Sequence, residues 1–357
     1  MLKYPNISRK TICKGIGINR SNSYRSPKIK IKDQDLIQHI QTIRNNGNDA
    51  YCGLKRIKLL LFHQGIAVGV NKLRRVCNTY NLKPKPYTKS PAKPQDKNRT
   101  PSQIPNLLKP ILQEMEYIKN TKSIPLFEVN VGIYKPNQVW AGDFTYLKFQ
   151  GLWYYLATNI DLYTREIVGF YLSTRHDTNL VTTTLNRGIK HYGIPDMSHT
   201  DQGSEYTAQE YQELLQQHNI TPSNSNKASP WENGFQESFY GKFKVELELQ
   251  NLHKDSTYGD LYNYIANQID YYNNYRIHTA IMTTPSRKRQ DYYQNQTQAT
   301  DQNIQPSKTQ TQRKTQDQKS VLTPPQKLIL NNGLNIYDSV SNIVKLEENL
   351  LLQEMGG

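Results

Sequence analysis

Residues 138–173, QVWAGDFTYLKFQGLWYYLATNIDLYTREIVGFYLS, decide the fold. They hold three short runs rich in aromatic and β-branched residues, 138–147, 152–160 and 165–173, parted by Gln150–Gly151 and by the polar stretch Asp161–Thr164. Runs so closely linked predict an antiparallel meander. Downstream the period lengthens. The pattern predicts a helix over 177–191, a short strand over 196–200, a helix over 207–219, an extended piece over Ile220–Ser225 and a long helix over 231–250. Three strands followed by helix, strand, helix, strand and helix make an α/β unit whose acidic residues can meet at strand ends.

Around this centre the chain runs to 357 residues, with 45 Lys and Arg against 30 Asp and Glu. That length predicts two or three domains. No apolar run approaches the roughly 20 residues that span a bilayer. The start, MLKYPNISRKTICKG, lacks the apolar stretch of a signal peptide. Three widely spaced cysteines, Cys13, Cys52 and Cys77, fit a reduced cytosol and argue against a disulfide scaffold. The histidines form no zinc-finger spacing with them.

The net charge of +15 is unevenly spread. Residues 1–110 hold 23 Lys and Arg against 4 Asp and Glu, and the remainder is net acidic. A basic N-terminal region that contacts DNA is the reading this favours. Its spacing is helical. DQDLIQHIQTIR (33–44) puts Leu36, Ile40 and Ile43 on one face, and LKRIKLLLFH (54–63) predicts a second helix. Gly65 breaks the pattern, and VNKLRRVCNTY (70–80) resumes it with Leu73, Val76 and Tyr80 inward. Helix, glycine-containing turn and basic helix resemble a helix-turn-helix, with Lys72, Arg74 and Arg75, and Lys55 and Arg56 before them, as candidate DNA contacts. A basic helical hairpin without base contacts is the plainer alternative. Residues 81–105 hold six prolines and six basic residues, and predict an extended linker.

Three carboxylates stand out by position. Asp143 lies inside the first predicted strand, between Gly142 and Phe144, and Asp201 follows the fourth, in HTDQGSEY (199–206). Glu237 lies in the long helix, and Lys244 follows it by two turns on nearly the same face. Carboxylates are hard oxygen ligands of the kind Mg²⁺ accepts, and three suit a two-metal phosphoryl-transfer site. Each also has an ordinary reading: strand-end aspartates are commonly turn or cap residues, and a helix lysine is commonly a solvated one.

The strings NQVWAGDFTYL (137–147), YYLATNIDLYTREIVGFYLS (154–173), HTDQGSEY and WENGFQESFYGKFKVE (231–246), in that order, resemble the catalytic core of insertion-sequence transposases, most closely the OrfB-type product of the IS-three family. YYNNYRIHTAIMTTPS (271–286) resembles that family's closing motif, and YCGLKRIKLLLFHQG (51–65) the helical element before its core. The resemblance covers about residues 15–290 and implies an RNase H-like integrase core, a mixed five-stranded sheet with flanking helices, behind a small basic helical domain. It implies that Asp143, Asp201 and Glu237 form a DDE triad holding two Mg²⁺ or Mn²⁺ ions, with Lys244 as the basic residue seven positions on. Glu232 stands where the family has the Asp of a D-N-A string and is read as a helix-starting charge, not a ligand. Ile277 replaces a usual proline, and Ala141–Gly142 a bulkier pair.

The expected organisation is a basic helical region over 1–80, a linker and connecting helix over 81–125 and the catalytic core over 126–290. A disordered Gln-, Thr- and Asn-rich segment over 291–323 and a C-terminal tail over 324–357 complete it. The expected activity is metal-dependent strand cleavage at transposon ends, followed by 3′-OH attack on a target phosphate. A catalytically impaired DNA-binding regulator is the alternative. Expected partners are transposon-end and target DNA, further copies of the chain on that DNA, and an upstream-frame product or fusion. No membrane is involved, and the expected place is the bacterial cytoplasm at the nucleoid.

Overall fold

The computed structural model describes residues 31–87, 103–122, 132–225 and 234–302, and the chain divides into two units between Pro86 and Tyr87. In the first unit α1 (Ile31–Asn45), α2 (Leu54–His63) and α3 (Val70–Thr79) follow the predicted helices closely. Leu36, Ile40, Ile43, Ile57, Leu61, Leu73 and Val76 share its core. Gly65, at φ +81°, ends α2: its N–H reaches Phe62 O, and Ile66 N–H reaches Leu61 O at 2.8 Å. That left-handed cap is why the periodic pattern stops at glycine. Asp33 of α1 pairs with Arg75 at 2.9 Å and Lys72 at 3.7 Å, and the Arg75 hydrogen bond holds its carboxyl below the ordinary value.

Arg56 is a correction. It was expected on the basic surface, yet it is buried, its Nε donating to Cys52 Sγ at 2.6 Å and its Nη2 standing 3.5 Å from Asp49 Oδ1. It neutralises a buried aspartate and so is not offered to DNA. Burial pushes the adjacent Cys52 thiol up to about 12.

The second unit is built on a mixed sheet in the order β3-β2-β1-β4-β5, with β1 Val139–Phe149, β2 Leu152–Asp161, β3 Ile167–Ser173, β4 Met197–Thr200 and β5 Thr221–Asn224. The first three strands pair antiparallel, whereas β4 runs parallel to both β1 and β5. Gln150 and Gly151 both have positive φ and close β1–β2 as a two-residue hairpin, whose twist suits the strands.

Helices cover both faces. On one, α8 (Gly234–Leu247) and α9 (Tyr258–Asn274) bring Phe239, Phe243, Ile265 and Ile269 onto Leu147, Leu156 and Leu172. On the other, α5 (Thr178–Tyr192) and α7 (Gln209–Gln217) bury Trp140 and Val168 under Val181, Leu185 and Leu215. Gly169 lets α5 sit directly on β3: a Cβ there would lie 2.4 Å from Thr184 O. Before the sheet, α4 (Leu108–Lys122) seats Leu108 against Val139, Ala141 and Leu162. Among the described residues no helix is long and apolar enough to cross a membrane.

Two elements differ from expectation. The helix expected over 207–219 is split into α6 (Ser204–Thr207) and α7, because Ala208 is extended at φ −61°, ψ 144°. The segment from 291, expected to be disordered, continues α10 (Pro285–Gln302) through its first twelve residues. The cause is tertiary anchoring. Arg289 binds Glu166 and stands 3.3 Å from Asp161 Oδ2, and Tyr292 packs edge-on against Tyr163. Residues 303–357, like 88–102 of the linker, lie outside the described residues.

Candidate active site

The strand register brings two of the candidate acids together. Val139, Trp140 and Ala141 of β1 stand opposite Met197, Ser198 and His199 of β4. Asp143 follows the last of these pairs by two residues along β1, and Asp201 follows it by two residues along the chain, one residue past the end of β4. Asp143 is buried, and Phe144 N–H donates to its Oδ1 at 2.8 Å. Asp201 leaves the carboxyl end of β4 and accepts from Gly203 N–H at 2.9 Å, a local turn that aims its carboxylate.

The third acid, Glu237, is exposed in the first turn of α8. Its neighbours fix that turn. Gln236 is fully buried and donates through Nε2 to Ala141 O at 2.5 Å and Thr158 O at 3.0 Å. One turn on, the Tyr240 hydroxyl donates to Asp143 O at 2.7 Å and meets the Thr158 hydroxyl at 2.8 Å. Thr158 is itself the cross-strand partner of Asp143. Polar groups at 236 and 240 thus tie α8 to the backbone that carries Asp143. Trp231, Glu232 and Asn233 lie outside the described residues.

Two phenols border the acids. Tyr206 is buried, and burial first, then the charge of Asp143, push it well above its ordinary value, with Asp201 adding to the effect. Burial and Asp143 do the same to Tyr240. Both therefore remain neutral donors beside the carboxylates. A fourth acid, buried Glu205, accepts from Ser204 Oγ at 3.2 Å and pairs with His176 Nδ1 at 3.1 Å. A Cβ on Gly203 would lie 2.9 Å from both Asp201 Oδ1 and Glu205 Oε2, so these carboxylates flank one glycine.

Sequence reasoning missed Gln236, Tyr240, Tyr206, Glu205 and His176. The signal at 236 was present: a glutamine in line with Phe239, Tyr240 and Phe243 interrupts an otherwise apolar stripe. Lys244 is half-buried two turns beyond Glu237, roughly 10 Å along the helix. Lys55, Lys72, Arg74 and Arg75 are exposed in the first unit, and Lys72 and Arg75 share Asp33.

The aspartate pair suits a hard divalent cation, since both offer oxygen ligands from fixed backbone. Among the described residues no three His, Cys, Asp or Glu side chains stand close enough to hold one ion together. Glu237 would have to swing inward, and its exposed position leaves it room to do so.

Two models named Integrase core domain match residues 133–230 and 218–285. The transposase for insertion sequence element IS904 of Lactococcus lactis is 29% identical over 265 residues, covering 72% of this chain and 94% of that protein. The 31 kDa protein of insertion element IS600 of Shigella sonnei is 28% identical over 293 residues, covering 79% and 99%. Transposase InsF of IS3A from Escherichia coli is 39% identical over 113 residues, 31% of this chain and 39% of its own. Among solved structures, the catalytic core of HTLV-2 integrase in complex with magnesium matches at 21% identity with a TM-score of 0.36, covering 43% of this chain and 97% of that one. An integrase core on a five-stranded mixed sheet and near-complete alignment to insertion-sequence proteins agree: the chain carries an integrase core and is similar to insertion-sequence transposases, those of IS904 and IS3A among them.

Proposed function

We propose that Asp143, Asp201 and Glu237 are the acids with which this transposase cuts and joins DNA. The observation that carries the reading is that Asp143 and Asp201 each follow, by two residues, the last β1–β4 pair, Ala141 and His199, with Glu237 on a helix tied to β1 by Gln236 and Tyr240. The three carboxylates would hold two Mg²⁺ or Mn²⁺ ions. When bound, these supply Lewis acidity toward the attacking oxygen and the scissile phosphate.

The chain's own groups do the positioning. Phe144 N–H and Gly203 N–H each hold one carboxylate oxygen, Asp143 Oδ1 and Asp201 Oδ1. Neutral Tyr206 and Tyr240 add no competing negative charge beside them. In cleavage a water oxygen bonds to phosphorus and the bond to the 3′ oxygen breaks, leaving a 3′-OH at the element's end. In joining, that 3′-OH attacks a target phosphorus and expels the target's 3′ oxygen. No serine or tyrosine nucleophile is needed.

Lys244 would hold a phosphate, and Lys55, Lys72, Arg74 and Arg75 of the first unit would also hold DNA. Copies of the chain assembled on the transposon ends, together with an upstream-frame product or fusion, would form the active complex in the bacterial cytoplasm. The impaired-regulator alternative is not favoured, since this chain has all three acids and is similar to transposases.

The test is cleavage of a labelled transposon-end duplex with Mg²⁺. Asp143→Asn and Glu237→Gln should each lose at least a hundredfold in rate while still retaining the DNA, in line with removal of a charge acting at the transition state. Undiminished cutting by either variant would refute that residue's role.

A further inference from the structure

The outer face of the β1–β2 hairpin carries a run of rings that the acidic site does not use. Tyr146 and Trp153 are exposed at 41% and 53%, and Phe144 and Tyr155 are half-buried. The rings are contiguous: Tyr146 lies 6.0 Å from Phe144, 5.6 Å from Tyr155 and 6.5 Å from Trp153 by centroids. His176 closes the inner end, 4.8 Å from Tyr155 and parallel to Phe144 at 6.3 Å. Lys148 stands over Trp153 at the outer end. So many exposed rings in one patch mark an interaction surface.

Where the strip begins identifies its occupant. Phe144 follows Asp143, and its N–H holds that carboxylate. His176 is bound to Glu205, which flanks Gly203 opposite Asp201. The rings therefore begin next in chain to Asp143, on the alternate face of β1, approach Asp201 through His176 and Glu205, and lead away toward a lysine. A DNA strand with a phosphate at Asp201 would bring its neighbouring bases toward this strip by way of His176 and Phe144. Aromatic faces next to cations stack bases of any identity, provided the bases are unpaired.

We propose that this strip is a stacking platform for unpaired bases at the DNA end engaged by the acids. The proposal rests on the reading that the scissile phosphate lies at Asp143. It adds a preference that the acids alone do not supply: frayed or single-stranded-tailed ends should bind better than fully paired ones. Strand separation near the cut would then be favoured by ring contacts.

The experiment measures binding by the full chain in EDTA, where no cleavage occurs, so that its result does not depend on the roles of the three acids. The probes are a blunt duplex and the same duplex with a short single-stranded tail carrying 2-aminopurine. Stacking should quench the 2-aminopurine. Combined Tyr146→Ala and Trp153→Ala should remove the quenching and weaken tailed-DNA binding about tenfold or more, while blunt DNA changes less than about twofold. Tyr146→Phe with Trp153→Phe should restore both. Both side chains are at the surface, and an unchanged melting temperature checks the fold. Equal weakening on both probes, no weakening on either, or a changed oligomeric mass with DNA binding intact would each overturn the platform. The last outcome would make the face a protein interface.

Discussion

Tyr240 shows how one hydroxyl sets the geometry of a site it does not enter. It meets Asp143 O at 2.7 Å, Thr158 Oγ1 at 2.8 Å and Leu156 O at 3.2 Å, all in the interior. Tyr240→Phe keeps the ring in the core but leaves buried acceptors short of a partner, a loss of about 1–3 kcal/mol. The expected result is a lower unfolding midpoint in urea and a reduced kcat on the transposon-end duplex, with KM for DNA nearly unchanged. A rise in KM alone would mean that Tyr240 acts on DNA binding instead. Asp143 stands out in the sequence because it lies in an aromatic strand where an acid is unexpected. Tyr240 and Gln236 do not, since their partners are backbone carbonyls on strands about 80–100 residues away, which no local pattern records. Arg56 was misread for a related reason. Its neighbours Lys55 and Lys58 are exposed, and only the fold distinguishes the one basic residue that turns in toward Asp49.

Among elements, α10 is held by a small set of polar contacts. Its sequence is polar throughout, and by composition it does not predict a stable helix. Arg289 supplies the anchor, reaching Glu166, Asp161 and Asn137 from one guanidinium, with Ser286 adding a bond to Glu166 at 3.1 Å. Arg289→Ala would leave buried Glu166 without its cation, at a cost of about 3–5 kcal/mol. Hydrogen exchange should show α10 amides losing protection in that variant. Arg289→Lys should recover little, because one ammonium cannot reproduce the forked geometry. Retained protection in the alanine variant would show that Tyr163 and Tyr292 suffice. The strands and the amphipathic helices were readable because alternation and 3.6-residue spacing are local properties. The α10 extension and the break at Ala208 are not, as both follow from what the chain meets elsewhere.

At the scale of the whole molecule, charge is divided by role. The excess of Lys and Arg lies in the first 110 residues, whereas the proposed chemistry rests on acids in a net acidic remainder. DNA affinity should therefore fall steeply with salt, as released counterions require. Lys72→Ala with Arg74→Ala should lower the slope of log affinity against log salt by about one per phosphate contact removed. An unchanged slope would assign DNA holding to other residues. The crowding at Gly142 bears on how such a chain can change over generations. A Cβ there would lie 2.9 Å from Asn159 Oδ1 and 3.1 Å from Thr200 Cγ2. Positions 142, 159 and 200 come from three adjacent strands, so a lineage that enlarges the residue before Asp143 must also trim a neighbour. Substitutions at these three sites should therefore tend to be inherited together, with Asn159 and Thr200 giving way when glycine is enlarged.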